Sequence, residues 1–178
     1  VGDGQPHRHT GALIDVLNAD QWQVGDEIVL ASTDYNPRQA ETRHITAISA
    51  NAITLDEPLE YMHYGEITFG VDERGEVGLL TRNIKVQASS DAEQSFFGGH
   101  IKGMVTSKMY VEGVELYRMG QNLELARYPI HWHLVGDAGA GQYVRNSAIH
   151  DTYNRCVTVH GTNNLQVENN VTYNTVGH

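Results

Sequence analysis

The chain has 178 residues, with 12 Lys and Arg against 22 Asp and Glu, a formal net charge of −10. That acidic balance argues against a nucleic-acid binder, which needs a basic face to displace counterions from phosphate, so an anionic ligand has to meet a locally basic patch. Hydrophobic residues make up 40% of the chain, enough for the core of one domain, but there is no membrane segment, since no run approaches the ~18 uncharged apolar residues of a spanning helix.

Helical periodicity is scarce along the chain, whereas short β-branched runs bounded by Gly, Asn or Asp recur. The first are residues 12–16 and 22–30, the latter ending in Ile28-Val29-Leu30. Extended runs follow at residues 43–48 and 52–55, then a loop rich in charge and glycine over 65–78, an extended pattern over 79–87, and a polar break over 88–94. No linker stands out, so the chain reads as one all-β domain over 1–178, with N-terminal coils over 1–95 and histidine-bearing coils over 96–178. The single cysteine, Cys156, can form neither an internal disulfide nor a thiolate metal site.

From Gly98 onward a loose repeat emerges. Gly99-His100-Ile101 precedes Val111-Glu112-Gly113-Val114, Ile130-His131-Trp132-His133-Leu134 precedes Val144-Arg145-Asn146-Ser147, and Val157-Thr158-Val159-His160 precedes Val167-Glu168-Asn169-Asn170. The spacing falls within the roughly 20–50 residues of solenoid repeats. Extended rungs with Gly and Asn at the corners predict a parallel β-helix, with a sandwich as the rival architecture.

Side chains alternate between faces along a strand. Ile130, Trp132 and Leu134 therefore read as core, and His131 and His133 as outward; His160 and His100 follow the same logic. Stacked in register, these imidazoles form a patch. Converging imidazoles suit proton transfer near neutral pH or a borderline divalent metal, zinc more than calcium, because hard cations prefer oxygen ligands. The candidate ligands are His131, His133, His160 and His178. Asp137, four residues after His133, can return as a ligand or orient an imidazole, and Arg127 offers a guanidinium to a substrate carboxylate. An isolated outward histidine is ordinarily just a polar surface residue, and His7, His9, His44 and His63 read that way. Asn163, Asn169 and Asn170 read as turn or ladder residues, and Asn170-Val171-Thr172 also matches the glycosylation acceptor pattern. The acidic run from Asp72 to Glu76 reads as a solvated turn in preference to a calcium loop.

Several longer strings resemble one family. These are Gly25-Asp26-Glu27-Ile28-Val29-Leu30-Ala31-Ser32-Thr33-Asp34-Tyr35, Arg74-Gly75-Glu76-Val77-Gly78-Leu79-Leu80-Thr81-Arg82-Asn83-Ile84, Phe97-Gly98-Gly99-His100-Ile101, Arg127-Tyr128-Pro129-Ile130-His131-Trp132-His133-Leu134-Val135-Gly136-Asp137, and Arg155-Cys156-Val157-Thr158-Val159-His160-Gly161-Thr162-Asn163. In this order they resemble the cell-surface hyaluronidase family, which includes cell-migration-inducing and hyaluronan-binding proteins, with fibrocystin-like relatives further away. The resemblance implies a right-handed parallel β-helix, placed at the cell surface or outside the cell, that cleaves or binds an acidic polysaccharide of the hyaluronan type. It implies catalytic roles for Arg127, His131, His133 and Asp137 and substrate contacts from His100, Arg127, Tyr128 and Asn163. Hydrolysis is favoured by the resemblance, while elimination at a uronate and plain glycan binding stay open on the residues alone. This chain has one cysteine where the animal members carry several.

Overall fold

The computed structural model describes residues 8–9 and 12–177, which divide between Leu79 and Leu80 into two compact units. In the first unit, β1 (Leu13–Asp15), β2 (Glu27–Leu30), β3 (Glu41–Ser49), β4 (Ala52–Leu55) and β5 (Val77–Leu79) form one sheet in the order β1-β4-β3-β2-β5. Every pairing in it is antiparallel. The expectation of solenoid coils over 1–95 is corrected here up to Leu79. Ala50 and Asn51 separate β3 from β4, and Ala50 takes φ of 53°, so the chain reverses in a two-residue hairpin, which yields an antiparallel pair. Ile14, Ile28, Leu30, Ile45, Ile53 and Leu55 make the core. His44 is exposed as expected, but His63 is buried. Its Nε2 lies 3.0 Å from Glu41 Oε1 and its Nδ1 2.8 Å from the Ala31 carbonyl. Arg43 and the amides of Glu60 and Tyr61 complete the Glu41 carboxylate. In the acidic turn, Arg74 closes on Asp72 through two side-chain hydrogen bonds. The readings for His7 and for the side chain of His9 lie outside what is described.

The second unit is a parallel β-helix. Its strands are β6 (Ile84–Gln87), β7 (Ile101–Gly103), β8 (Tyr110–Glu112), β9 (Val114–Tyr117), β10 (Ile130–Gly136), β11 (Tyr143–Arg145), β12 (Ala148–Thr152), β13 (Val157–Thr162), β14 (Gln166–Glu168) and β15 (Val171–Thr175), with a short helix α1 (Ala92–Ser95) after β6. They stack into three parallel sheets, β6-β9-β12-β15, β7-β10-β13 and β8-β11-β14. Each coil therefore has three strands where the sequence suggested two. The second strand of each predicted repeat is split by a corner residue, Gly113, Asn146 or Asn169, all at positive φ of 51–63°. These are residue types that tolerate left-handed backbone at low cost.

Inside the coils, Leu116, Ile130, Trp132, Val135, Val144 and Ile149 form the core. Trp132 could not be buried without a partner for its indole N–H; it donates to Gln142 Oε1 at 3.0 Å. Gln142, 1% exposed, also accepts from the Met109 amide and donates to the Ala138 carbonyl. The Asn170 side chain accepts from the Ser147 amide and donates to the Val144 carbonyl. Both ends of that amide thus hold a corner, the turn role expected of it.

Candidate functional site: a histidine cluster on the β-helix

The site is built on β7, β10 and β13. Register aligns Lys102 with His131 and Thr158, and His133 with His160. The alternation expected for β10 holds for Ile130, His131, Trp132 and His133 and then breaks. Leu134 takes φ of 54° and Gly136 takes 59°, where the pairing with β13 shifts register. Leu134 is consequently turned out, 52% exposed, and Val135 takes its place in the core. The sequence expectation of a buried Leu134 is corrected by that bulge.

His131 faces out of the sheet yet is 1% exposed. Tyr128 packs edge-on against it at 5.0 Å, His133 at 5.0 Å, and His160 stacks at 6.2 Å. Neither ring nitrogen of His131 has a hydrogen-bond partner. A buried imidazole left in that state is costly, and here its surroundings supply other imidazoles. One ligand atom from each of His131, His133 and His160 lies within 4.8 Å of the others. The Nδ1 atoms of His133 and His160 are 3.1 Å apart, so one donates to the other.

Burial pushes the His131 pKa down to about 4; the Ala126 carbonyl opposes this without closing a bond of good geometry, and the charges of His133, Lys102 and His160 add to it. His133 is lowered by partial burial and by Lys102 and His160. His131 and His133 are thus neutral at pH 7, the state in which an imidazole offers a lone pair to a metal or accepts a proton. Three histidines at this spacing fit a zinc-like ion, which takes imidazole nitrogens at ~2.0–2.1 Å and leaves a fourth position open.

The other expected site residues are placed as follows. Tyr128 is buried as a lid on His131 instead of standing free for a ligand, with the Arg155 guanidinium carbon 5.6 Å from its ring centroid. Asp137 is exposed at the start of a short 3-10 turn and is not part of the three-histidine set. Its carboxylate accepts from Asn163 Nδ2 at 2.8 Å, so these two hold each other. Arg127 is exposed, and its charge reaches His100, whose pKa is lowered by burial and then by Arg127 and Lys102. His100 itself is out of register with His131: the equivalent position is Lys102. His178 lies outside the described residues. Lys102 is the residue that histidine spacing missed. Aligning the apolar Ile101 with Ile130, and not His100 with His131, brings it opposite His131.

The CEMIP beta-helix family matches residues 96–178, the stretch that holds the whole cluster. Residues 96–178 belong to the CEMIP beta-helix family. Three relatives extend the likeness over most of the chain. The mouse cell migration-inducing and hyaluronan-binding protein is 40% identical over 94% of this chain, human cell surface hyaluronidase CEMIP2 is 36% identical over 94%, and mouse fibrocystin-L is 37% identical over 92%. The chain spans only 14%, 14% and 5% of those proteins respectively. Within the CEMIP beta-helix, the Gly-Gly-His string has a steric reason. A Cβ at Gly98 would stand 2.0 Å from the Arg118 carbonyl oxygen, while Gly98 and Gly120 exchange backbone hydrogen bonds with their neighbours across the coil at 2.6–2.7 Å.

Proposed function

We propose that the histidine face binds and depolymerises an acidic polysaccharide of the hyaluronan type, at the cell surface or outside the cell, with a divalent ion, zinc in preference to calcium, held by His131, His133 and His160. The observation that carries this reading is the convergence of three imidazoles within 4.8 Å around a buried His131 without hydrogen-bond partners. The names of the relatives, hyaluronan-binding protein and cell surface hyaluronidase, supply the substrate class. The local charge agrees: Lys102 and Arg127 flank the histidines in a chain of net charge −10.

When bound, the ion lowers the pKa of a coordinated water towards neutrality. The residues supply the rest. His131, sealed by Tyr128, fixes the geometry of the cluster. His133, half-buried and neutral, offers the lone pair that ligation needs. Arg127 and Lys102 hold the acidic groups of the chain being cut. Hydrolysis is the reading the family resemblance favours.

A second reading rests on one observation, that no carboxylate joins the described histidine cluster. Two carboxylates flanking the scissile bond are the usual equipment for glycoside hydrolysis. In their absence, and with no ion on it, His133 removes the C5 proton beside the uronate carboxylate, whose charge Arg127 neutralises; the C4–C5 double bond forms as the C4–O bond breaks, and the leaving oxygen takes a proton from water. The deciding experiment is incubation with high-molecular-weight hyaluronan, following viscosity and ultraviolet absorbance together. Falling viscosity without new absorbance is the expected result; falling viscosity with the absorbance of an unsaturated uronate establishes elimination. Constant viscosity with retained hyaluronan binding means a binding module and refutes depolymerisation.

A further inference from the structure

Most of the basic side chains that approach acidic ones in this chain are spent on them. Arg43 holds Glu41, Arg74 holds Asp72, Lys85 holds Glu115, Arg118 holds Glu93 and Arg145 holds Glu112. Lys102 is different. It is half-buried on β7, and among the described residues it pairs with no carboxylate. The groups its charge reaches are His100, His131 and His133, which offer it no negative partner.

Its placement is fixed by the fold. Lys102 stands in register with His131 on the neighbouring strand, about 4.8 Å away along the sheet, and shares the outward face with His100, two residues earlier. Arg127 reaches the same His100. Two cations therefore act on His100, and one of them, Lys102, stands one strand from His131. A half-buried ammonium that faces imidazoles and no carboxylate keeps its donors for an anion.

We propose that Lys102 is a substrate-positioning residue that anchors the carboxylate of a uronate sugar beside the histidine cluster, with Arg127 taking a second acidic group. This deepens the polysaccharide reading of the same site and rests on it. An ammonium is a compact donor suited to one carboxylate, and a carboxylate held one strand from His131 sets which sugar of the polymer lies across His131, His133 and His160.

The test is calorimetric binding of hyaluronan oligosaccharides of one length, and of the same oligosaccharides with their carboxylates reduced to alcohols. The proteins are the wild type, Lys102→Gln and Lys102→Arg, with thermal midpoints showing that each is folded. Loss of a charge-assisted hydrogen bond is expected to weaken Lys102→Gln roughly ten- to a hundredfold. Lys102→Arg should keep most of the affinity, and on the reduced oligosaccharides wild type and Lys102→Gln should be equally weak. If the wild type binds and folded Lys102→Gln binds equally well, the anchor is overturned while the polysaccharide reading stands. If the folded wild type binds neither oligosaccharide, the polysaccharide reading falls, and the anchor with it.

Discussion

His131 shows how one residue can be legible in direction and opaque in environment. Alternation along β10 turned it out of the coil, and it does face out. That it is 1% exposed follows from Tyr128, three residues earlier, folding back over it, a contact that no periodicity encodes. Leu134 is the reverse case: its pattern is apolar, but its left-handed backbone moves it out and Val135 in. The cluster has a direct consequence at this scale. Zinc at about a hundred times its Kd stabilises a folded site by ~2.7 kcal/mol, or roughly 5–10 °C for a chain of this size. Thermal melts should show that rise for the wild type and lose it in the double variant His133→Ala/His160→Ala. An equal zinc response in the double variant would place the metal elsewhere.

The elements owe their bends to columns of left-handed residues. Gly113, Asn146 and Asn169 stack at one corner, Arg118, Asp151 and Asn174 at a second, and Leu134 and Gly161 at a third, all with φ of 46–63°. The first column was readable, because Gly and Asn favour that conformation; the arginine of the second and the leucine of the third carry no such mark. Asn169 Nδ2 donates to Asn146 Oδ1, and Asn146 Nδ2 donates to Glu112. Gly113→Asn should cost no more than ~1 kcal/mol, because a Cβ there meets nothing within 4 Å and the strain left is that of a side chain at positive φ, which Asn bears best. Gly98→Ala should cost on the order of 2–4 kcal/mol, because its Cβ would fall 2.0 Å from a backbone oxygen. Urea titration of the two variants makes the comparison.

The sheet β6-β9-β12-β15 carries a polar chain across all of its rungs. Lys85 Nζ lies 2.5 Å from Glu115 Oε1, His150 Nε2 lies 3.2 Å from the same oxygen, His150 Nδ1 lies 2.8 Å from Asp151 Oδ2, and Asn174 donates to Asp151 Oδ1. Burial acts to raise the Glu115 pKa, but His150, Lys85 and the Arg82 amide outweigh it and bring it to about 2. Burial likewise disfavours charge on His150, and its bonds to Asp151 and Glu115 raise its pKa above 6.5 all the same. The signs follow by linkage. The Glu115 contribution is whole above about 4.5 and is lost as pH falls towards about 2. The His150 contribution is whole below 6.5 and is lost as pH rises through its raised value. Stability against urea should thus decline on both the acid and the alkaline sides. Glu115→Gln should cost on the order of 3–5 kcal/mol near neutrality, the effect of breaking a buried ion pair on one side, and should shrink the alkaline decline without removing it, because Asp151, the stronger of the two carboxylates that raise His150, remains.

At the scale of the whole molecule, the repeat from residue 98 made the solenoid legible, since its corners and inward apolar residues recur once per coil. The unit up to Leu79 was not legible as a separate antiparallel sheet, because short β-branched strands look alike in either pairing and the decisive hairpin at Ala50 and Asn51 lacks a Gly. The site was half-legible: His131, His133 and His160 meet as expected, whereas Asp137 and Asn163 close on each other. His100 gives its place in the register to Lys102. The chain covers 14% of the human cell surface hyaluronidase CEMIP2, and under the proposal its histidine cluster carries the depolymerising chemistry. The most direct measurement is the rate of viscosity loss of hyaluronan with wild type and with His133→Ala/His160→Ala, in chelator and with zinc restored. The proposal predicts activity in the wild type that chelator abolishes and zinc restores, and none in the folded double variant. Equal rates for the two folded proteins, or activity indifferent to chelator, would contradict it.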